Sequence, residues 1–245
     1  MKLSFVIPAY NEEKYIGQCL QSIFDELKGE SHDVEIIVVN NNSTDRTKEI
    51  ALTFSNVKVV DEPQKGLVNA RKAGLNAATG DLIANIDADT ILADGWINKV
   101  MDKFKYNPQL VAFSGPFIYY DMPWRINFLV KSFYGLGYIT YLFNRHVFHI
   151  SSMLQGGNFI FKKSAFEQIG GYNHNFDFYG EDTDVAKRLN KVGDVIFSFS
   201  LPIYTSGRRL REEGLLKSGF KYSINYFWAI FFKKPFNKTH EDIRT

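Results

Sequence analysis

The chain has one cysteine, Cys19, in 245 residues. No disulfide within one chain is possible, which fits a reducing compartment. No apolar run approaches the roughly 18–20 residues that a membrane-spanning helix needs. The N-terminus enters a strand-like KLSFVIP run at 2–8 with no signal-peptide pattern, so a cytoplasmic location is expected. Neither sign of charge is in excess, the net charge being +2. Nucleic-acid binders are more basic, or basic on one face, so no nucleic-acid partner is expected. Internal repeats and low-complexity linkers are also lacking.

What remains suits one large α/β domain with a well-buried core, or two halves sharing a core. Apolar residues make up 45% of the chain, and aromatics a high 16%. Short apolar runs at 3–7, 34–39, 57–60, 82–86 and 110–114 read as strands. Helical patterns lie between them, from Asn11 as a capping residue through Leu27, then at 47–54, 66–78 and 93–104. Alternating strands and helices mean βαβ units and a mostly parallel sheet. From Pro116 the rhythm breaks. Residues 123–150 read as aromatic and irregular, 156–161 as a strand, and 164–169 and 182–192 as helices. Residues 195–200 read as a late strand.

The run at 82–86 ends on two carboxylates, Asp87 and Asp89. In open α/β sheets ligands bind at the carboxyl ends of strands. An Asp-x-Asp pair there can hold a hard divalent cation, and the cation a diphosphate; a solvated turn is the plainer alternative. The VIPAYNE run at 6–12 is a strand end whose loop, with Pro8, Tyr10 and Glu12, offers amides and a carboxylate to a ligand. The NNNSTD loop at 40–45 is polar and rich in helix-capping residues. Glu181 and Asp182 open a helix, where acids are favoured by the dipole in any protein. A carboxylate placed there can also take a proton from an attacking hydroxyl. Asp184 is expected to face solvent or cap the helix. Arg208 and Arg209 follow the late strand in a basic loop. They suit either a diphosphate or surface pairs with Glu212 and Glu213. His149 and His174 have no ligand spacing.

As an ordered set, these motifs resemble the inverting glycosyltransferases of family 2. The set is VIPAYNE at 6–12, VVNNNSTD at 38–45, Lys65-Gly66 with Asn69, Ala70 and Arg71, Gly80-Asp81, DAD at 87–89, and Gly180, Glu181 and Asp182. The resemblance covers residues 3–212 and implies a GT-A-like fold, a Rossmann-like, mostly parallel sheet flanked by helices. Residues 1–115 would be the nucleotide-sugar half and 116–212 the acceptor half, followed by an amphipathic segment at 213–245. It implies that Asp89 ligates Mg²⁺ or Mn²⁺, with Asp87 on the ribose or the metal. Asp182 would be the general base with Glu181 as its neighbour. Pro8, Tyr10, Glu12, Asn40, Asn41, Asp45, Lys65 and Arg71 would line the nucleotide. Gly157 and Asn158 would lie on the acceptor side, with Arg208 or Arg209 on phosphate. Arg71 reads equally as a routine cation on a surface helix. The family usually has Asp where this chain has Asn40 and Asn41. An amide both donates and accepts, so the choice between UDP and GDP stays open.

Three other classes compete. A sugar-nucleotide nucleotidyltransferase would want a Gly-rich phosphate loop near the N-terminus, yet residues 8–20 hold only Gly17. A non-catalytic nucleotide-sugar or membrane-binding module has no need of all three of Asp87, Asp89 and Asp182. A glycosidase needs two carboxylates about a glycosidic bond and no nucleotide pocket.

Acidic residues are missing from 122–166 and from 214–240. The first stretch has Arg125, Lys131, Arg145, Lys162 and Lys163 among aromatics. The second has Lys217, Lys221, Lys233, Lys234 and Lys238, with Phe220, Ile224, Phe227 and Phe231 on one helical face. Basic flanks with an aromatic face suit an interfacial helix on an anionic membrane, and then a lipid or lipid-linked glycan acceptor. The alternative is that both stretches cover the sheet.

Overall fold

The computed structural model describes residues 1–147, 153–173, 176, 179–232 and 236. The expectations on His149, His174, Lys233, Lys234 and Lys238 fall outside these, as do those on the side chains of Arg145, Phe227 and Phe231. Strand β1 (Leu3–Ala9) leads to helix α1 (Ile16–Leu27), then β2 (Val34–Asn40), α2 (Thr47–Leu52), β3 (Val57–Asp61) and α3 (Leu67–Ala77). Next come β4 (Leu82–Ile86), β5 (Thr90–Leu92), α4 (Trp96–Tyr106), β6 (Leu110–Ser114), β7 (Phe117–Tyr119) and α5 (Trp124–Val147). The chain continues with β8 (Asn158–Lys162), α6 (Lys163–Gln168), α7 (Glu181–Leu189), β9 (Asp194–Phe197), β10 (Ile203–Thr205), α8 (Arg208–Glu213) and α9 (Leu215–Phe232).

Seven strands form the main sheet in the order β3-β2-β1-β4-β8-β6-β9. Every pairing is parallel except the two made by β8, which runs antiparallel to β4 and β6. The mostly parallel α/β sheet flanked by helices is therefore as expected. β8, from late in the chain, lies between β4 and β6, so residues 1–115 and 116–212 share one sheet. The strand runs are apolar almost throughout because both faces are covered. Leu3, Phe5, Ile7, Ile36, Val38, Leu82, Ala84 and Ile86 pack in one layer with α1 and α4. Val6, Ile37, Val39 and Ile83 turn to the other, against α3, α6 and α7. The helix α3 comes very close to the sheet: a Cβ at Gly74 would lie 2.3 Å from Val6.

Four features differ from the sequence reading. Residues 148–150 lie outside the described ones; most of the stretch read as irregular is helical, α5 occupying Trp124–Val147. Its outward side is as apolar as its inward one, so no periodic contrast marks it. Asn11 does not cap α1; it sits at φ 50° and the helix begins at Ile16. Residues 208–213 are helical rather than looped. A second sheet, β5-β10-β7, is built of three-residue strands. Runs that short carry no readable period.

Candidate active site

Strands β1, β2 and β4 run parallel, so their carboxyl ends open on one side. Two of the loops there are stitched together. The Asn11 and Thr44 segments exchange bonds, Asn11 N–H to Ser43 Oγ at 3.2 Å and Thr44 N–H to Asn11 Oδ1 at 2.9 Å. The Glu12 N–H donates to Thr47 Oγ1 at 2.7 Å, and the Glu13 N–H to Asp45 Oδ2 at 3.0 Å. Asp45 Oδ1 also accepts from Thr47 N–H at 3.0 Å. Asp45 is thus a capping and stitching residue. Pro8 lies within β1, paired with Val39. Lys65 Nζ stands 3.7 Å over the Tyr10 ring, a cation–π contact at the mouth of this cleft.

The two asparagines are spent on the protein itself. Asn41 donates to Glu62 O at 2.9 Å and Gln64 O at 2.7 Å, and accepts from Gly66 N–H at 2.8 Å. Asn40 donates to Asp61 at 2.8 Å and accepts from Ser43 N–H at 3.2 Å. Asn40 and Asn41, expected to line the nucleotide, thus have their side chains bonded within the protein; for Asn41 this includes its carbonyl oxygen. Its oxygen already holds the backbone that opens α3.

Asp87 and Asp89 follow β4 as expected. Asp89 is largely shielded from solvent; its Oδ2 lies 3.1 Å from Arg208 Nη2, and its Oδ1 accepts from Thr205 Oγ1 at 3.3 Å. Arg208 also reaches Glu12 Oε1 at 2.5 Å and covers the Tyr15 ring at 4.9 Å. Burial pushes the Asp89 carboxyl up to about 6; Arg208 opposes this and the like charge of Asp87 adds to it. Burial works against the charge on Arg208, but Glu12 and Asp89 outweigh it and hold that charge firmly. Arg209 pairs instead with Glu213 at 3.4 Å. Among the described residues no group of three or more His, Cys, Asp or Glu side chains forms a ready cation cage. The pair of hard carboxylates still fits Mg²⁺ or Mn²⁺. Such ions commonly take one or two carboxylates and complete their shell with phosphate and water.

A turn at Gly156 and Gly157 separates this pair from the second acidic cluster. A Cβ at Gly157 would sit 2.1 Å from Asp87 Oδ2; one at Gly156 would sit 3.4 Å from Asp182 Oδ2. The main chain therefore passes close to both acids, and at Gly157 a side chain would collide with Asp87 as it stands. Arg71 is buried beneath, bonded to Gly156 O, paired with Glu181, and 3.7 Å from Asp87. It is not a surface cation. Glu181 is its buried counter-ion, which leaves Asp182 as the partly exposed carboxylate of the pair. Burial raises the Asp182 carboxyl above its usual range, against the Thr183 N–H at 2.7 Å and the charge of Arg71. Asp184 pairs with Arg188 at 2.8 Å and is buried, not solvent-facing.

Asn158 was expected on the acceptor side and is instead internal. It is fully buried, donates to Gly115 O at 3.1 Å and Leu201 O at 2.9 Å, and accepts from Trp96 Nε1 at 3.2 Å. Thr205, Tyr134 and Gln155 were not foreseen. Tyr134 of α5 donates to Gln155 Oε1 at 2.6 Å, just before the two glycines. These contacts join distant segments, so no local pattern announces them. A shallow hollow lined by Met1, His32, Met101 and Phe104 includes none of the site residues.

The description "Glycosyl transferase family 2" matches residues 4–170, and "N-terminal domain of galactosyltransferase" matches 145–208. The chain is 25% identical over 244 residues to the glucosyl-dolichyl phosphate glucuronosyltransferase of Haloferax volcanii, covering 94% of this chain and 74% of that one. It is 34% identical over 117 residues to the poly-beta-1,6-N-acetyl-D-glucosamine synthase of Staphylococcus epidermidis, 46% of this chain and 28% of that one. The chain thus spans most of the first relative and under a third of the second. Among solved structures, S. aureus TarS 1-349 superposes with a TM-score of 0.66 at 16% identity, covering 95% of this chain and 73% of that one. The mannosyltransferase PcManGT from Pyrobaculum calidifontis, in complex with GDP-Man and Mn2+, gives 0.62 at 20% identity, covering 91% and 64%. These two show the fold. The family match, spanning well over half of the chain and taking in the strand-end acids, shows more: this chain belongs to glycosyl transferase family 2 and is a glycosyltransferase.

Proposed function

We propose that the protein moves a hexose from a UDP- or GDP-linked sugar to an acceptor hydroxyl, with inversion, in one direct displacement. The observation that carries this is the turn at Gly156 and Gly157, with Asp87 on one side and Asp182 on the other. An inverting transfer needs the leaving diphosphate and the proton acceptor on opposite sides of the sugar. Asp182 takes the proton of the acceptor hydroxyl as it attacks the anomeric carbon, and burial raises its affinity for that proton. Arg71, between Glu181 and Asp87, holds both acidic clusters at a fixed separation. Arg208 supplies positive charge on the diphosphate side. A divalent cation held by Asp89 and Asp87 would stabilise the charge that develops on the departing diphosphate.

Residues 1–115 bind the nucleotide sugar and 116–212 the acceptor. The acceptor is a lipid or lipid-linked glycan of cell-envelope type, met by peripheral contact with the cytoplasmic face of an anionic membrane. The dolichyl phosphate in the name of the Haloferax volcanii relative supports a lipid-linked acceptor. The UDP-GlcNAc bound in one TarS structure and the GDP-Man bound in PcManGT support a nucleotide sugar without choosing the base.

The test is Asp182→Asn. Turnover is expected to fall by about 10²–10⁴-fold, the usual contribution of a positioned base, while nucleotide affinity stays within about twofold. Wild-type turnover in a variant that binds nucleotide normally would remove Asp182 from the role of base.

A further inference from the structure

We propose that α5 is the element that docks the protein on an anionic lipid surface, lying flat with its apolar face in the headgroup boundary. The inference rests on the membrane-side reading just given and names the part of the molecule that makes the contact. The helix is two-faced in a particular way. Its inward side holds Val130 and Tyr141, both buried, and Tyr134, bonded to Gln155. Its outward side exposes Phe128 (63%), Phe133 (50%), Leu136 (66%), Ile139 (66%) and Phe143 (57%). Leu129 shares this face. A soluble surface seldom presents so many large apolar side chains together without a partner.

Charge identifies the partner. No Asp or Glu occurs from residue 122 to 166, and Arg125 and Lys131 are exposed on the helix. An apolar face flanked by cations and free of acids complements anionic headgroups. A second copy fits less well. Two-fold pairing sets a patch against itself, which would bring cations together with no carboxylate on the helix to offset them. Among the described residues no helix is long and apolar enough to cross a bilayer, so the fitting mode is interfacial. The twenty-four-residue helix would lie along the surface for about 36 Å.

The sequence pattern pointed as much to residues 214–240, but among the described residues α9 exposes fewer large apolar side chains than α5, with Phe220 at 70% and Phe232 at 56%. It packs on α7 and α8, buries Ser218 and Asn225, and joins Lys221 to Glu213 at 3.3 Å. The position of α5 also serves the chemistry. Its inner Tyr134 bonds to Gln155, the residue before the glycine turn, so the docked helix is joined to the loop that runs beside Asp182.

The experiment is co-sedimentation of the full chain with phosphatidylcholine vesicles, with and without phosphatidylglycerol. The proteins are wild type, the triple variant Leu129→Gln, Leu136→Gln, Phe143→Gln, and the double variant Arg125→Gln, Lys131→Gln. Wild type is expected to bind the anionic vesicles and the triple variant about tenfold or more weakly. The double variant should lose the preference for phosphatidylglycerol. Thermal unfolding with and without UDP or GDP checks the fold and the nucleotide site separately. Intact nucleotide binding with no vesicle binding by wild type would overturn the docking inference alone. Wild-type vesicle binding by the triple variant would also overturn it. So would a wild-type dimer in lipid-free buffer that the triple variant makes monomeric, since the face would then be an interface between copies.

Discussion

Arg208 and Asp89 form a 3.1 Å ion pair that ties α8 to the turn after β4. Both side chains are mostly shielded from solvent. The guanidinium stands against the carboxylate that would hold a cation, so arginine and cation share one anionic group. Arg208→Gln leaves Asp89 largely shielded from solvent without its counter-charge. A loss of about 2–4 kcal/mol is expected in metal-free protein, a little under the roughly 3–5 kcal/mol for breaking a fully buried pair. Added Mn²⁺ should then raise the melting temperature more in the variant than in wild type, because it no longer displaces an internal cation. Equal shifts in thermal unfolding would show that the two do not compete for Asp89.

The amide of Asn41 explains why this chain departs from aspartate at that position. Its NH₂ group faces two carbonyl oxygens, those of Glu62 and Gln64. A carboxylate can only accept, so Asn41→Asp sets negative charge against both. A stability loss of about 1–3 kcal/mol is expected from two lost bonds in a buried setting. Preference between UDP and GDP should be unchanged, since the side chain is occupied inside the protein. Chemical denaturation measures the first and competition binding the second. A variant as stable as wild type with a switched nucleotide preference would return Asn41 to the base pocket.

Gly157→Ala tests the turn between the acidic clusters. Its Cβ would lie 2.1 Å from Asp87 Oδ2 and 2.9 Å from Phe117 Cζ, so the carboxylate must swing away. Asp87 is over a third exposed and has room to move. The main effect should therefore fall on binding. Metal-dependent nucleotide affinity is expected to drop about tenfold, equivalent to about 1.4 kcal/mol, with a smaller change in melting temperature. Titration calorimetry with UDP or GDP and Mn²⁺ reads this. Unaltered affinity in a folded variant would show that Asp87 has no part in holding the nucleotide or its metal.

Several of these features were legible in the sequence and others were not, for physical reasons. β4 and β6 could be read to the residue because each is an apolar run with a single polar residue, Asn85 or Ser114, bounded by turn residues. The acids after β4 were legible from position alone, since a strand end is where such sheets bind ligands. The helix α5 escaped because its exposed face is also apolar, which erases the period of a surface helix. Asn158 looked like an acceptor contact because a polar residue beside glycines reads the same whether it faces a cleft or bonds to Gly115, Leu201 and Trp96 inside. Arg71 and Glu181 come together only in the folded chain. No spacing rule connects them.

Glu35 provides a test of the scaffold away from the site. Its Oε1 accepts from Ser4 Oγ at 2.5 Å, Thr79 N–H at 2.5 Å, Thr79 Oγ1 at 2.9 Å and Gly80 N–H at 3.1 Å. It thereby joins β1 and β2 to the turn that enters β4. Partial burial works against the charge, but these bonds prevail and the carboxyl lies below its usual value. A depressed carboxylate contributes stability that is present above its unfolded value of about 4.3 and is lost as pH falls through the folded value. Glu35→Gln keeps an acceptor oxygen but removes the charge. A loss of about 1–2 kcal/mol at pH 7 is expected. On acidification below about pH 4.5 the gap between the proteins should narrow, because wild type loses what the variant never had. Denaturation at pH 7 and at pH 3.5 measures both. A gap that stays constant between these pH values would mean that the charge of Glu35 contributes nothing and that only its shape matters.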